Sequence, residues 1–144
     1  MINQDKVVSG GNTLPETLKI EPTVMDNITW DDAVMKEEIF GPILPVMIND
    51  NLDEVIDIVE SKPHPLALYI FSSDKKNIKK VSELCRYGGG CVNDVVVHLA
   101  TPEMPFGGCG ESGMGAYHGK FGFDTFTHKK SILDKKTWFD LPIR

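Results

Sequence analysis

One run in this 144-residue chain has residue types suited to holding a small molecule: Glu37-Glu38-Ile39-Phe40-Gly41-Pro42. A carboxylate can accept two hydrogen bonds from a vicinal diol, and a nearby ring offers a flat heterocycle a face to lie against. The same residues also read as a helix-end carboxylate and a core phenylalanine. Residue types by themselves leave both readings open.

Other candidates fall away on spacing. Gly108-Cys109-Gly110-Glu111-Ser112-Gly113 matches the G-x-G-x-x-G pattern of a dinucleotide loop. That pattern needs a strand before it and a helix after it. Here Pro105 precedes it and Gly115, Gly119 and Gly122 follow, so the sequence predicts a tightly turned Gly-rich loop. Cys109 is flanked by glycines, and a nucleophilic thiolate needs an oriented base or a helix N-terminus. Cys85 lies on an apolar helical stripe and Cys91 at a strand start, both expected in the core. The histidines, His64, His98, His118 and His128, show no metal-ligand spacing.

Composition bounds the partners. The net charge of −6 argues against a nucleic-acid surface, which would need clustered Lys and Arg. Lys75, Lys76, Lys79 and Lys80 fit a solvated helix face. The longest apolar run, Leu66 to Phe71, is far too short to span a membrane. An odd number of cysteines without a visible secretory signal predicts reduced thiols and a cytoplasmic setting.

The elements that must position these residues alternate in type. Lys6 to Ser9 and Leu18 to Val24 are extended segments, and Asp31 to Glu38 is a short helix stopped by Gly41-Pro42. Ile43 to Ile48 is an apolar strand. Asn51-Leu52-Asp53-Glu54 then resembles a capping box opening a helix with Leu52, Val55, Ile56 and Val59 on one face. Leu66 to Phe71 reads as a buried parallel strand. Ser73 caps a helix with Ile78, Val81, Leu84 and Cys85 inward, and Cys91-Val92-Asn93 starts another strand. This is a βαβαβ order, which predicts an α/β fold with a mainly parallel sheet and flanking helices. Phe123 to Lys129 reads as a final strand.

Pro105-Phe106-Gly107-Gly108-Cys109-Gly110-Glu111-Ser112-Gly113-Met114-Gly115-Ala116-Tyr117-His118-Gly119-Lys120, with Lys36 to Ile43 upstream, resembles the signature of class 3 aldehyde dehydrogenases. The resemblance runs from Val7 to about Arg144 and implies the C-terminal part of that family's catalytic domain, residues 1–122, followed by an oligomerisation strand and tail, residues 123–144. It implies that Glu38 binds the nicotinamide ribose hydroxyls and that Phe40 packs near the nicotinamide. By the same resemblance the loop from His98 to Phe106 lines a substrate tunnel, with Phe106 as its wall. His118 belongs to the signature, but the resemblance supplies no role for it. In the complete enzyme a cysteine attacks the aldehyde, hydride passes to NAD or NADP, and water activated by a glutamate releases the acid. The family's nucleophile follows a Gly-Gln pair and its base lies in a Glu-Leu-Gly-Gly run. Gln4 is the sole glutamine here and neither run occurs, so the chain by itself is expected to be inactive and to carry no bound cofactor. A homodimer is the expected assembly. The alternative is a non-enzymatic module that keeps a subunit-association role.

Overall fold

Glycine and proline punctuate the first third of the sequence, so its strands are short. In the computed structural model, which describes residues 1–138, five strands precede the first α-helix: β1 (Val7–Ser9), β2 (Thr13–Leu14), β3 (Lys19–Ile20), β4 (Thr23–Met25) and β5 (Ile43–Pro45). The chain forms two compact units, Met1–Leu52 and Asp53–Arg144.

In the first unit β1 pairs antiparallel with β4, and β4 pairs parallel with β5, placing Thr23 opposite Ile43 and Met25 opposite Pro45. β2 and β3 form a separate antiparallel pair. Pro22 lies between β3 and β4, so the extended run expected from Leu18 to Val24 is broken into two strands in different sheets. Met25, Ile28 and Val34 form the buried centre, with Val7, Ile39 and Ile43 packed against it. The segment expected as a helix from Asp31 to Glu38 is one 3-10 turn, Ala33–Met35.

A lysine fixes the loop that leads into this turn. Lys6 Nζ donates to Asp32 Oδ1 and Oδ2 at 2.8 and 2.7 Å and to the Asn27 carbonyl at 2.9 Å. The Thr29 amide donates to Asp32 Oδ2 at 2.7 Å. The hydrogen bond from Lys6, then that from the Thr29 backbone, lowers the Asp32 carboxyl to about 2. A carboxylate whose folded value lies below its unfolded value stabilises the fold above the unfolded value, and that contribution is lost as pH falls. The thermal midpoint of the wild-type chain should therefore exceed that of Asp32→Asn at neutral pH, and the two should converge as acid titration approaches pH of about 2. Parallel curves across the whole range would show that this network contributes nothing.

The second unit carries the helical half of the pattern: α1 (Leu52–Glu60), β6 (Ala67–Ile70), α2 (Lys75–Leu84), β7 (Gly89–Val92) and α3 (Gly119–Thr125). The apolar stripe of α1 buries Ile56 most deeply, and Cys85 is buried just past the end of α2. The cap of α2 is Asp74, whose side chain accepts from the Lys76 amide at 2.8 Å, one residue beyond the expected Ser73. On the exposed face of α2, Lys79 pairs with Glu83 and Lys80 with Asp53, as a solvated face requires. β6 and β7 run parallel across α2, pairing Leu68 with Gly90 and Tyr69 with Cys91. The βαβ crossover therefore stands, while β5 joins β4 rather than continuing one sheet through β6.

The final strand expected at Phe123 to Lys129 is not formed. Residues up to Thr125 belong to α3, and residues 126–136 have no regular structure. Lys120 Nζ donates to Asp124 Oδ2 at 2.7 Å across one helical turn, and Thr125 Oγ1 donates to the carbonyls of Phe121 and Ala116. Phe123 and Phe126 satisfy a three-residue helical spacing as readily as Phe123, Thr125 and Thr127 satisfy alternation, so periodicity could not separate the two. Residue 122, the expected boundary of the catalytic part, lies inside this helix. The end of the expected tail, residues 139–144, lies outside the described residues.

Candidate functional site

In the first unit, Glu38 and Phe40 flank an anchor. Ile39 packs against the buried cluster, so its neighbours project outward. Glu38 is exposed and makes no hydrogen bond or ion pair among the described residues, which leaves both oxygens free to accept. Phe40 is 93% exposed, which corrects the alternative of a core phenylalanine. Its φ of 44° lies in the left-handed region, unusual for a bulky residue and maintained only where the surroundings dictate it. The surroundings do so from both sides, because Ile39 is held in the core and the Pro42 carbonyl accepts from the Thr23 amide at 2.8 Å. Lys36 also ties the approach to this loop, donating to the Trp30 carbonyl at 3.0 Å. Beside the ring lies an open concavity of about 590 Å³ lined by Leu18, Ile20, Ile39, Phe40 and Pro42. Lys19 also lines this hollow and Glu38 does not; Glu38 lies two residues before Phe40, so a carboxylate able to accept from a diol and a ring able to face a flat heterocycle stand on one short loop.

Phe106 belongs to the second unit. Its amide and carbonyl each bond to Tyr117 at 2.9 Å, closing the signature loop at its base. Around its ring stand Tyr117 at 5.7 Å, His118 at 5.6 Å in a stacked arrangement, and His98 at 6.3 Å. Tyr69 in turn meets the edge of His98 at 5.8 Å. This makes an aromatic wall of five residues, of which Phe106 was expected as the wall and His98 as the start of the same lining loop. The signal for His118 was its place in the signature. His98 lies on a 3-10 turn, Val97–Leu99, entered through Val96 at φ 66°, and nothing in the spacing signals that its ring reaches Phe106.

The glycines of the signature serve close backbone packing. A Cβ on Gly107 would lie 2.1 Å from the Gly115 carbonyl oxygen, and one on Gly88 would lie 2.2 Å from that of Gly107 and 2.7 Å from that of Leu66. The loop after Cys109 contains one 3-10 turn, Gly110–Ser112, in place of the long helix a dinucleotide fingerprint requires. Gly88→Ala should cost about 3 kcal/mol, because backbone on two sides must shift. A denaturant titration of the variant showing a wild-type midpoint would contradict that packing account.

Cys85 is buried, and burial, followed by the Glu60 charge, pushes its thiol up. Among the described residues no group of His, Cys, Asp and Glu is placed to hold a metal, and no helix is long and apolar enough to cross a membrane.

A parallel βαβ unit joined to a Gly-packed loop with an aromatic wall defines part of an α/β catalytic domain. The model of the aldehyde dehydrogenase family matches residues 2–132, and the chain belongs to that family. It is 50% identical over 134 residues to the 4,4'-diaponeurosporen-aldehyde dehydrogenase of Staphylococcus aureus, covering 93% of this chain and 29% of that protein. Aldehyde dehydrogenase family 3 member H1 of Arabidopsis thaliana is 49% identical over 97% of the chain and 29% of the relative. The dimeric NADP-preferring aldehyde dehydrogenase of Rattus norvegicus is 44% identical over 94% of this chain and 30% of its own length. A substrate-bound Staphylococcus aureus AldH structure superposes with a TM-score of 0.91 at 48% identity, over 96% of this chain and 30% of that one. The chain thus spans under a third of the length of these relatives.

Proposed function

We propose that this chain supplies the C-terminal portion of an NAD(P)-dependent aldehyde dehydrogenase that oxidises aldehydes to carboxylic acids. The observation that carries the reading is the loop on which Ile39 is anchored while a free Glu38 carboxylate and an outward Phe40 ring flank it. A nicotinamide riboside offers the matching pair of surfaces, a diol and a flat heterocycle. When bound, that cofactor accepts hydride from the substrate. Glu38 would hold its ribose hydroxyls and Phe40 would restrict the ring to one face. Phe106, backed by His98, Tyr117 and His118, would exclude water from an aldehyde with an aliphatic or aromatic tail. The setting we propose is cytoplasmic.

The test is a chimera in which this chain replaces the equivalent segment of the Staphylococcus aureus 4,4'-diaponeurosporen-aldehyde dehydrogenase. NAD(P)+-dependent aldehyde oxidation by the folded chimera is expected. A folded chimera that binds cofactor normally and oxidises none of the relative's aldehydes would overturn the proposal.

Residues 123–144 are proposed as the association segment of a homodimer. Support comes from the apolar side chains it presents to solvent, Phe123, Phe126, Ile132, Leu133 and Trp138, and from the rat relative being named dimeric. Exposed apolar side chains gathered on one segment support this association reading. Light scattering on the 16.0 kDa chain should report a dimer or larger species, and the double variant Phe126→Asp, Leu133→Asp should shift it to monomer. A wild-type monomer at high concentration would remove the association reading.

A further inference from the structure

β7 brings two unusual neighbours together. Successive strand residues alternate faces, so Gly89 and Cys91 share one face, and the His98 ring lies against both. A Cβ on Gly89 would meet His98 Cδ2 at 3.0 Å and Nε2 at 3.4 Å, so the absence of a side chain there makes the recess that holds the ring. At the next position on that face, Cys91 Sγ stands 3.5 Å from His98 Nδ1. His98 is nine-tenths buried at 9% exposure, and its Nε2 has no hydrogen-bond partner among the described residues. With the ring proton on Nε2, Nδ1 presents its lone pair to the thiol hydrogen. Tyr69, paired with Cys91 across the sheet, and Phe106 leave the ring little freedom to turn away. Cys91 itself is partly exposed, in contrast to buried Cys85. The proposed oxidation uses His98 only as a ring backing Phe106 and gives Cys91 no part.

We propose that Cys91 is a covalent modification site for small α,β-unsaturated aldehydes, with His98 Nδ1 as the proton acceptor. A base held against a thiol generates the thiolate that attacks, and a slim, apolar, soft electrophile suits a partly covered thiol among aromatic rings. In the step, sulfur forms a bond to the β-carbon of the enal while the C=C π pair moves to the α-carbon and carbonyl. The thiol proton passes to Nδ1 and from there to the α-carbon. Every atom of both reactants stays in the adduct, and no oxidant or reductant takes part. The site does not depend on the oxidation chemistry and can be tested on the isolated chain.

The experiment exposes the folded chain to crotonaldehyde near neutral pH, traps adducts by borohydride reduction and locates them by peptide mass spectrometry. Cys91 should gain the adduct about tenfold faster than Cys109, with Cys85 slowest, and the preference should vanish in denaturant. His98→Phe, which keeps a ring against Tyr69 and Phe106, should slow Cys91 about tenfold and leave Cys109 unchanged. Equal labelling of Cys91 and Cys109 in the folded chain overturns the proposal, as does an undiminished Cys91 rate in a folded His98→Phe. Should circular dichroism show that variant to be unfolded, the folded-to-denatured labelling ratio of the unaltered chain decides the matter.

Discussion

Supplied with NAD+ or NADP+ and a range of aldehydes, the isolated chain should oxidise none of them above a heat-killed control, and it should hydrolyse no activated ester. Both reactions need a nucleophile positioned beside a base and an oxyanion site. Cys85 is withdrawn into the interior with its thiol pushed up, which makes it a poor nucleophile. Cys109 opens a 3-10 turn in which its amide donates to the Ser112 hydroxyl at 2.8 Å, and among the described residues no His, Asp or Glu side chain is bonded to its thiol. Cys91 has a base at hand, and an adduct there consumes one electrophile without returning the thiol. The expected loss relative to a complete enzyme is the whole of the catalysis, many powers of ten. Turnover that survives in Cys91→Ser and disappears in Cys109→Ala would overturn this, and would make the signature loop itself catalytic.

The second large effect belongs to Glu38. In the chimera described above, Glu38→Gln should slow hydride transfer about a hundredfold while weakening cofactor binding far less, because a small misplacement of the reacting ring costs that much in rate. The amide keeps the size of the side chain but loses one acceptor oxygen and the charge, so the ribose is gripped at one hydroxyl instead of two. Single-turnover kinetics distinguishes this from a change in cofactor release. Unaltered hydride transfer would remove Glu38 from the site. Stability should not move, since the carboxylate is exposed and bonded to nothing among the described residues.

Much of the fold was legible because its helices obey simple periods. Leu52, Val55, Ile56 and Val59 announce α1, and the apolar run at Leu66 announces β6. Pairing was less legible. Ile43 to Pro45 is as apolar as a strand of a continuous parallel sheet, yet it joins β4, and nothing local encodes which neighbour a strand takes. Phe123 to Lys129 failed for another reason, its aromatic spacing being compatible with both periods until Lys120 and Asp124 close a helical turn. At the site, residue types suggested what Glu38 and Phe40 could do, but only backbone geometry turns the ring outward, through a left-handed φ that no pattern in the sequence signals. The aromatic wall around Phe106 was legible only in part: His98 and Phe106 fall on the expected lining loop, but Tyr69 joins from a separate strand and the backbone at Val96 that aims His98 has no signal in the sequence.

The pair of hydrogen bonds joining Phe106 to Tyr117 also makes the residues between them a closed cassette, whose chain enters and leaves at one point. Within it Met114 is 97% exposed, and a Cβ at the adjacent Gly115 would meet nothing within 4 Å, although the Gly115 carbonyl packs against Gly107. Lengthening such a loop at an exposed residue adds closure entropy slowly, roughly 0.6 kcal/mol for each doubling. A reporter peptide spliced after Met114 would therefore ride outside the aromatic wall, making the most recognisable stretch of the sequence also its most convenient port for a label.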